Sequence, residues 1–125
     1  MSTELAWAAG FIDGEGCFHL VGKVNRRGVK KHRFALAASQ SDDRPLKRLS
    51  LAVGHGNVHG PYNHTKDPLR KKVTYQWSVS GAHAWRIYNL LLPYLSEPKK
   101  EQAEKCLNVL TEVDRDRLVR LSLLL

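Results

Sequence analysis

Two carboxylates, Asp13 and Glu15, stand one residue apart at the end of an apolar run, LAWAAGFIDGEG, that occupies residues 5–16. The run before them reads as a helix. Ala6, Gly10 and Gly14 recur every fourth residue and share one face of it. A stripe of such small residues lets a second backbone approach closely, whether from the same chain or from a second copy of the same helix. Acidic groups are misplaced at that end, because a helix carboxyl terminus already carries partial negative charge. Either they cap nearby amides or something outside the helix compensates them. Were two copies of the stripe to pair, the two Glu15 side chains would meet near the twofold axis, and like carboxylates held close require a cation between them. Magnesium suits that role, since it binds oxygen through few carboxylates and completes its shell with water and phosphate.

Composition narrows the partner. The chain has 125 residues, 42% of them hydrophobic, which fits one domain over residues 1–125 with one core. Twenty Lys and Arg against twelve Asp and Glu give a net charge of +8. That excess attracts polyanions, nucleic acid first. No apolar run approaches the length that spans a bilayer, and no basic segment precedes an apolar stretch at the N-terminus, so neither a membrane partner nor a signal peptide is expected. Cys17 and Cys106 form no CxxC pair, and a reducing, intracellular compartment is expected.

The elements that must position the carboxylates follow from periodicity. Residues 5–14 read as a helix, 17–24 and 32–39 as strands joined by the basic turn Asn25-Arg26-Arg27-Gly28, and 43–53 as a helix capped by Asp42 or Asp43. Gly54-His55-Gly56 breaks that helix. Residues 58–62 and 72–80 read as a second hairpin, 82–92 as a helix, and a last helical segment covers about 99–125, running to at least 113 before any break. Helices and hairpins alternate without a parallel crossover. The expected architecture is α+β, an αββαββα core with a four-stranded antiparallel sheet and helices on one face.

The other sheet face is then free. Alternation places Cys17, His19, Val21 and Lys23 on it from the first strand, and Lys31, Arg33, Ala35, Ala37 and Ser39 from the second. Asn57, His59 and Pro61 belong to the third strand, and Thr74, Gln76 and Ser78 to the fourth. Long donors mixed with small and apolar side chains suit the edges of base pairs. Asn25, Arg26 and Arg27 in the turn, and Arg70 and Lys72 in the second loop, would flank this surface and hold phosphates. The plain alternative is a solvated sheet face.

The stretch from Leu5 to Gly16 resembles the signature of the LAGLIDADG homing endonucleases, with the named motif on residues 8–16 in the form G-F-I-D-G-E-G. Cys17-Phe18-His19-Leu20 fits the strand that follows the motif in that family, and the likeness covers about residues 5–109. The resemblance implies a single-motif chain that works as a homodimer. Its motif helices would pair through Ala6, Trp7, Ala9, Gly10 and Asp13, and two subunits would form a saddle over double-stranded DNA. It makes Glu15 the ligand of a catalytic Mg2+ (or Mn2+), where several members carry aspartate, with the Gly14 carbonyl as a further contributor. Asp13 would serve as a helix-capping group. Gln40, in Ala38-Ser39-Gln40-Ser41, matches a position that organises active-site water. Lys99, with Lys100 beside it, matches a basic residue near the scissile phosphate. The family cleaves long, partly palindromic targets and leaves short 3′ overhangs, in prokaryote, phage-host or organelle settings. The departure lies in the apolar ending Leu121-Ser122-Leu123-Leu124-Leu125, where relatives often continue with further helices.

Other constellations carry less. His55, His59 and His64 lack an acid or cysteine at ligand spacing, which favours surface or DNA contacts over a metal site. Trp77 and Trp85 read as core, and Trp7 as core or interface. The expected function is therefore a metal-dependent, site-specific double-strand DNA endonuclease. Its rivals are a member that has lost cutting and acts as an intron RNA-splicing maturase or DNA-binding regulator, and a module that binds no nucleic acid.

Overall fold

The computed structural model describes residues 2–67, 69 and 72–125. Helix α1 (Thr3–Glu15) starts at Ser2, whose Oγ accepts the Leu5 N–H at 3.3 Å. It passes directly into strand β1 (Gly16–Val24), which pairs antiparallel with β2 (Lys30–Gln40). In the intervening turn Asn25 Oδ1 accepts the N–H groups of Arg27 and Val29 at 2.9 and 3.0 Å, and Gly28 supplies the positive φ that the turn requires. Helix α2 (Asp43–Val53) is capped by Asp42, which accepts the Arg44 N–H at 2.9 Å, and ends at Gly54 in the left-handed region. Strands β3 (Asn57–Asn63) and β4 (Val73–Ser80) form the second hairpin, and a bulge interrupts their register between His59 and Tyr62. Helix α3 (Ala82–Leu91), a 3-10 turn at Leu92–Tyr94, and helices α4 (Glu97–Val109) and α5 (Glu112–Ser122) complete the chain.

The sheet is fully antiparallel in the order β1-β2-β4-β3, so β1 and β3 are its edges. Its inner face buries Phe18, Phe34, Leu36, Trp77 and Val79 against Ile12, Leu46, Leu49, Ile87, Leu91 and Leu107 of the helices. Phe18 stacks on Phe34 with centroids 5.6 Å apart and meets the Tyr88 ring edge-on at 5.3 Å. Tyr88 donates its phenol hydrogen to Glu104 at 2.9 Å, tying α3 to α4. Burial first, and that bond second, push the phenol well above its ordinary pKa.

This is the α+β, αββαββα arrangement expected from the sequence, with two differences at the ends. The first three strands extend one or two residues beyond their expected limits, and the fourth starts one residue later, at Val73. The last helical segment begins at Glu97 and is two helices, the break falling after Val109 rather than beyond residue 113. Thr111 caps the second by accepting the Asp114 N–H at 3.1 Å, a Thr-x-x-Asp start signal that the apolar periodicity alone does not reveal. Among the described residues no helix is long and apolar enough to cross a membrane.

Gly56 carries the tightest constraint in the helix-to-strand connection. It sits at φ +103°, and a Cβ there would lie 2.0 Å from Trp77 Nε1, which donates to the His55 carbonyl at 3.1 Å. Gly56→Ala must strain the backbone and displace the largest core side chain. The expected cost is about 3 kcal/mol, a fall of about 10 °C in Tm in thermal unfolding followed by circular dichroism.

Candidate active site

The chemistry-bearing residues gather where α1 becomes β1. The junction has no loop. The Gly16 N–H closes the helix onto the Ile12 carbonyl, and a Cβ at Gly16 would lie 2.8 Å from Ile12 Cγ2 and 2.9 Å from the Ile12 carbonyl oxygen. Only glycine lets the chain turn from helix to strand over Ile12 without displacing it.

The two carboxylates of the motif have different surroundings. Asp13 is half-buried and engaged. It accepts the Ser96 N–H at 3.1 and 3.2 Å on its two oxygens and the Ser96 hydroxyl at 2.9 Å. Ser96 begins α4 and makes no side-chain cap of its own, so the Asp13 carboxylate supplies negative charge to the positive end of that helix. Glu15 is exposed and has no hydrogen-bond or ion-pair partner among the described residues. Beside it, the Gly14 carbonyl lacks its helical donor, because the Phe18 N–H turns instead to Gln102 Oε1 at 2.8 Å.

Helix α4 closes the junction from the edge of the sheet. Lys99 Nζ donates to the Gly16 carbonyl at 2.7 Å. Lys100 turns to Glu97 at 3.2 Å, so of the two lysines Lys99 is the one directed at the motif. Gln40 ends β2. Gly16 pairs with Ala38, and Gln40 lies two residues further along that strand, on the same sheet face as Ala38. Glu15 ends α1, Gln40 ends β2 and Lys99 lies in the first turn of α4, and among the described residues no hydrogen bond or ion pair joins their side chains to one another. Ser96 and Gln102 were not singled out from the sequence. Both act on groups more than eighty residues away, and no local spacing announces that.

The stripe on α1 is open. Ala6, Gly10 and Gly14 are exposed, and a Cβ at Gly10 or Gly14 would meet nothing within 4 Å. Ala9 departs from the expected interface set: it is 0% exposed and faces the core beside Ala8 and Ile12, about 100° around the helix from Gly10. Trp7 is half-buried toward α2. It stacks on Phe11 at 5.3 Å and lies under the Arg48 guanidinium at 4.0 Å, itself paired with Glu4 at 2.7 Å.

On the outer sheet face the register sets Cys17, Ala37, Ser78 and Asn57 in one row across all four strands. His19 lies beside Ala35, Val21 beside Arg33, Lys23 beside Lys31, and Ser39, Gln76 and His59 form another row. His19, Val21, Ala35, Ala37, Gln76 and Ser78 line a shallow depression of about 300 Å³ whose floor is alanine, Ala35 being only 3% exposed. Thr74 is half-buried, with its hydroxyl against His64 Nε2. Lys23, Arg26, Arg27, Lys31 and Arg33 are exposed around the β1–β2 hairpin, and Lys72 precedes β4. None of them forms an ion pair with the described residues. Arg70 lies outside the described residues. The three histidines do not converge: His55 stacks on His83 at 3.5 Å, where burial first and then the charges of His55 and Arg86 lower the His83 pKa. Among the described residues no three His, Cys, Asp or Glu could hold a metal ion within one chain.

The family model for LAGLIDADG endonucleases matches residues 8–107. The structure is similar to that of the homing endonuclease I-CvuI in complex with its target in the presence of calcium, with 25% identity and a TM-score of 0.63, covering 81% of this chain and 61% of that one. A second I-CvuI complex, with the I-CreI target and magnesium and with its DNA not cleaved, matches at 23% identity and a TM-score of 0.66 over 95% of this chain and 74% of that one. The homing endonuclease I-TnaI matches at 20% identity and 0.65 over 98% and 87%. The chain thus spans about three-fifths of the length of the first of these structures. No curated protein sequence matches it.

The unequal surroundings of the two carboxylates are open to a direct comparison. Asp13→Ala removes the charge and the acceptors at the start of α4 and is expected to cost about 1–2 kcal/mol, or about 3–6 °C in Tm. Glu15→Ala, with no partner among the described residues to lose, is expected to leave Tm within about 2 °C. Thermal unfolding of the two variants checks both.

Proposed function

This chain belongs to the LAGLIDADG endonuclease family, and from that premise we propose that it is a site-specific, divalent-metal-dependent double-strand DNA endonuclease acting as a homodimer of one 125-residue domain. One observation carries the reading. Glu15 stays exposed and, among the described residues, unpartnered at the end of an open small-residue helix face, while its neighbour Asp13 is consumed in holding the fold.

Pairing of two α1 helices along Ala6, Gly10 and Gly14 would bring two Glu15 carboxylates to the twofold axis and set two sheets side by side as a saddle. The oxygen donors present fit Mg2+ or Mn2+. One chain offers a free carboxylate at Glu15 and a carbonyl at Gly14, and a hard cation that keeps several waters needs little more from protein once a phosphate joins it. When bound, such an ion activates water and neutralises charge on the phosphodiester. The chain's own residues do the rest. Glu15 would hold the cation, and Gln40 would orient water. Lys99 places its ammonium where negative charge grows on the phosphate.

The four outer strands would read base edges, with Cys17, His19, Val21, Lys23, Lys31, Arg33, Ala35 and Ala37 from the first hairpin and Asn57, His59, Thr74, Gln76 and Ser78 from the second. Asn25, Arg26, Arg27, Arg70 and Lys72 would hold the backbone on either side. Twofold symmetry makes the target pseudo-palindromic, and cleavage would leave short 3′ overhangs.

The test starts from a randomised DNA library, from which the chain in Mg2+ selects the site it cuts. On that site Glu15→Gln is expected to slow cleavage by more than about 100-fold while the Kd in Ca2+ stays within about threefold. Binding without cutting by the parent chain would instead indicate a DNA-binding regulator, and no salt-dependent DNA binding at all would sink the nucleic-acid reading.

Gly10→Trp tests the pairing. A Cβ at the exposed Gly10 meets nothing within 4 Å, so the variant is expected to fold as the parent does, yet to sediment as a monomer and lose double-strand cleavage. A dimeric, active Gly10→Trp would refute pairing through this helix face.

A further inference from the structure

Strand β1 is an edge strand, so the backbone groups on its outer side need partners that no neighbouring strand provides. Helix α4 supplies them with side chains. Lys99 and Gln102, three residues apart and therefore on one face of α4, reach the Gly16 carbonyl at 2.7 Å and the Phe18 N–H at 2.8 Å. These two backbone groups flank Cys17 and point the same way, away from β2. Ser96, one turn earlier on the same face, completes the line by donating to Asp13. Helix α4 thus lies along the motif like a splint, with one attachment at its start, one at Lys99 and one at Gln102.

The three attachments differ in what they can tolerate. Lys99 spends its cation on a neutral carbonyl, a bond that is easily given up when a phosphate arrives. Asp13–Ser96 lies at the far end of the splint. Gln102 is the attachment that ties α4 to a backbone donor of β1 itself and that an arriving phosphate would not release, because its half-buried oxygen accepts the Phe18 N–H.

We propose that Gln102 is a positioning residue for the cleavage reaction. By accepting the Phe18 N–H, it sets the register of α4 on the edge of β1 and hence the place at which Lys99 presents its ammonium beside Glu15. The inference rests on the endonuclease reading above. Gln102 touches no substrate in this scheme and acts only through Lys99.

That dependence gives a test that a general loss of stability would not pass. Gln102→Met keeps the side-chain length and apolar stem and removes the acceptor. In single-turnover cleavage of the selected DNA site in Mg2+, it is expected to slow the reaction about 10- to 100-fold, with the Kd in Ca2+ unchanged within about threefold. Hydrogen exchange at the Phe18 amide should accelerate in the same variant. The decisive comparison is in the Lys99→Met background, where adding Gln102→Met is expected to change the residual rate by less than about threefold. A cost that persists undiminished without Lys99 would overturn the positioning role while leaving the endonuclease reading intact, as would an unchanged rate in Gln102→Met alone. Failure of the parent chain to cut any site in Mg2+ removes the reading and the positioning role together.

Discussion

Everything at the candidate site depends on a helix that becomes a strand with no residue between. Gly16 is what permits it, since any side chain there would strike Ile12, one of the most deeply buried residues of the core. The consequence is geometric. The last turn of α1 is held at its end, because it runs straight into β1, whose nine residues pair with β2 in a continuous ladder from Gly16–Ala38 to Val24–Lys30. Position 15 is thereby placed relative to the strands of the sheet, and in the proposed function the surface that would read DNA is tied to the chemistry at the helix end.

The same constraint explains why two acids at an unfavourable helix end are tolerated. Helix α4 starts where α1 stops, so the negative end of one faces the positive end of the other, and Asp13 bridges them through Ser96. Lys99 adds a cation at the Gly16 carbonyl. These contacts offset the local field through Asp13 and the backbone. They leave the Glu15 carboxylate itself untouched, which is the pattern of a group held for something outside the chain.

Much of this was legible in the sequence, and the parts that were not share a cause. The alternation of Val73, Tyr75, Trp77 and Val79 marked β4, and the small residues at 6, 10 and 14 marked an open helix face, because both periods are local. The assignment of Ala9 to that face failed for a related reason. Alanine is small enough to sit on either side of a helix, and only the neighbouring Ala8 and Ile12 decide that position 9 turns inward. Trp7 was ambiguous from sequence because its partners, Phe11 and Arg48, lie on two different helices. Ser96 and Gln102 gave no sign at all, since their partners, the Asp13 carboxylate and the Phe18 N–H, lie on the far side of the sequence. The break between α4 and α5 was written in Thr111 and Asp114, but a capping signal inside an amphipathic run competes with the run itself.

In the proposed dimer the free carboxylate changes its meaning. Alone, an exposed Glu15 at a helix carboxyl end costs the fold a few tenths of a kcal/mol, a burden any domain of this size carries easily. Two of them brought within about 4 Å would repel by about 4 kcal/mol at an effective dielectric of about 20, comparable to a large share of the energy that close packing of a small helix interface provides. A divalent cation reverses the sign of that term. Pairing of the helices, binding of the cation and arrival of the phosphate are then three linked equilibria, each favouring the others. In that proposal the compensation that Glu15 lacks among the described residues would come from the reacting complex, and the active site would be complete only when all of its parts are present.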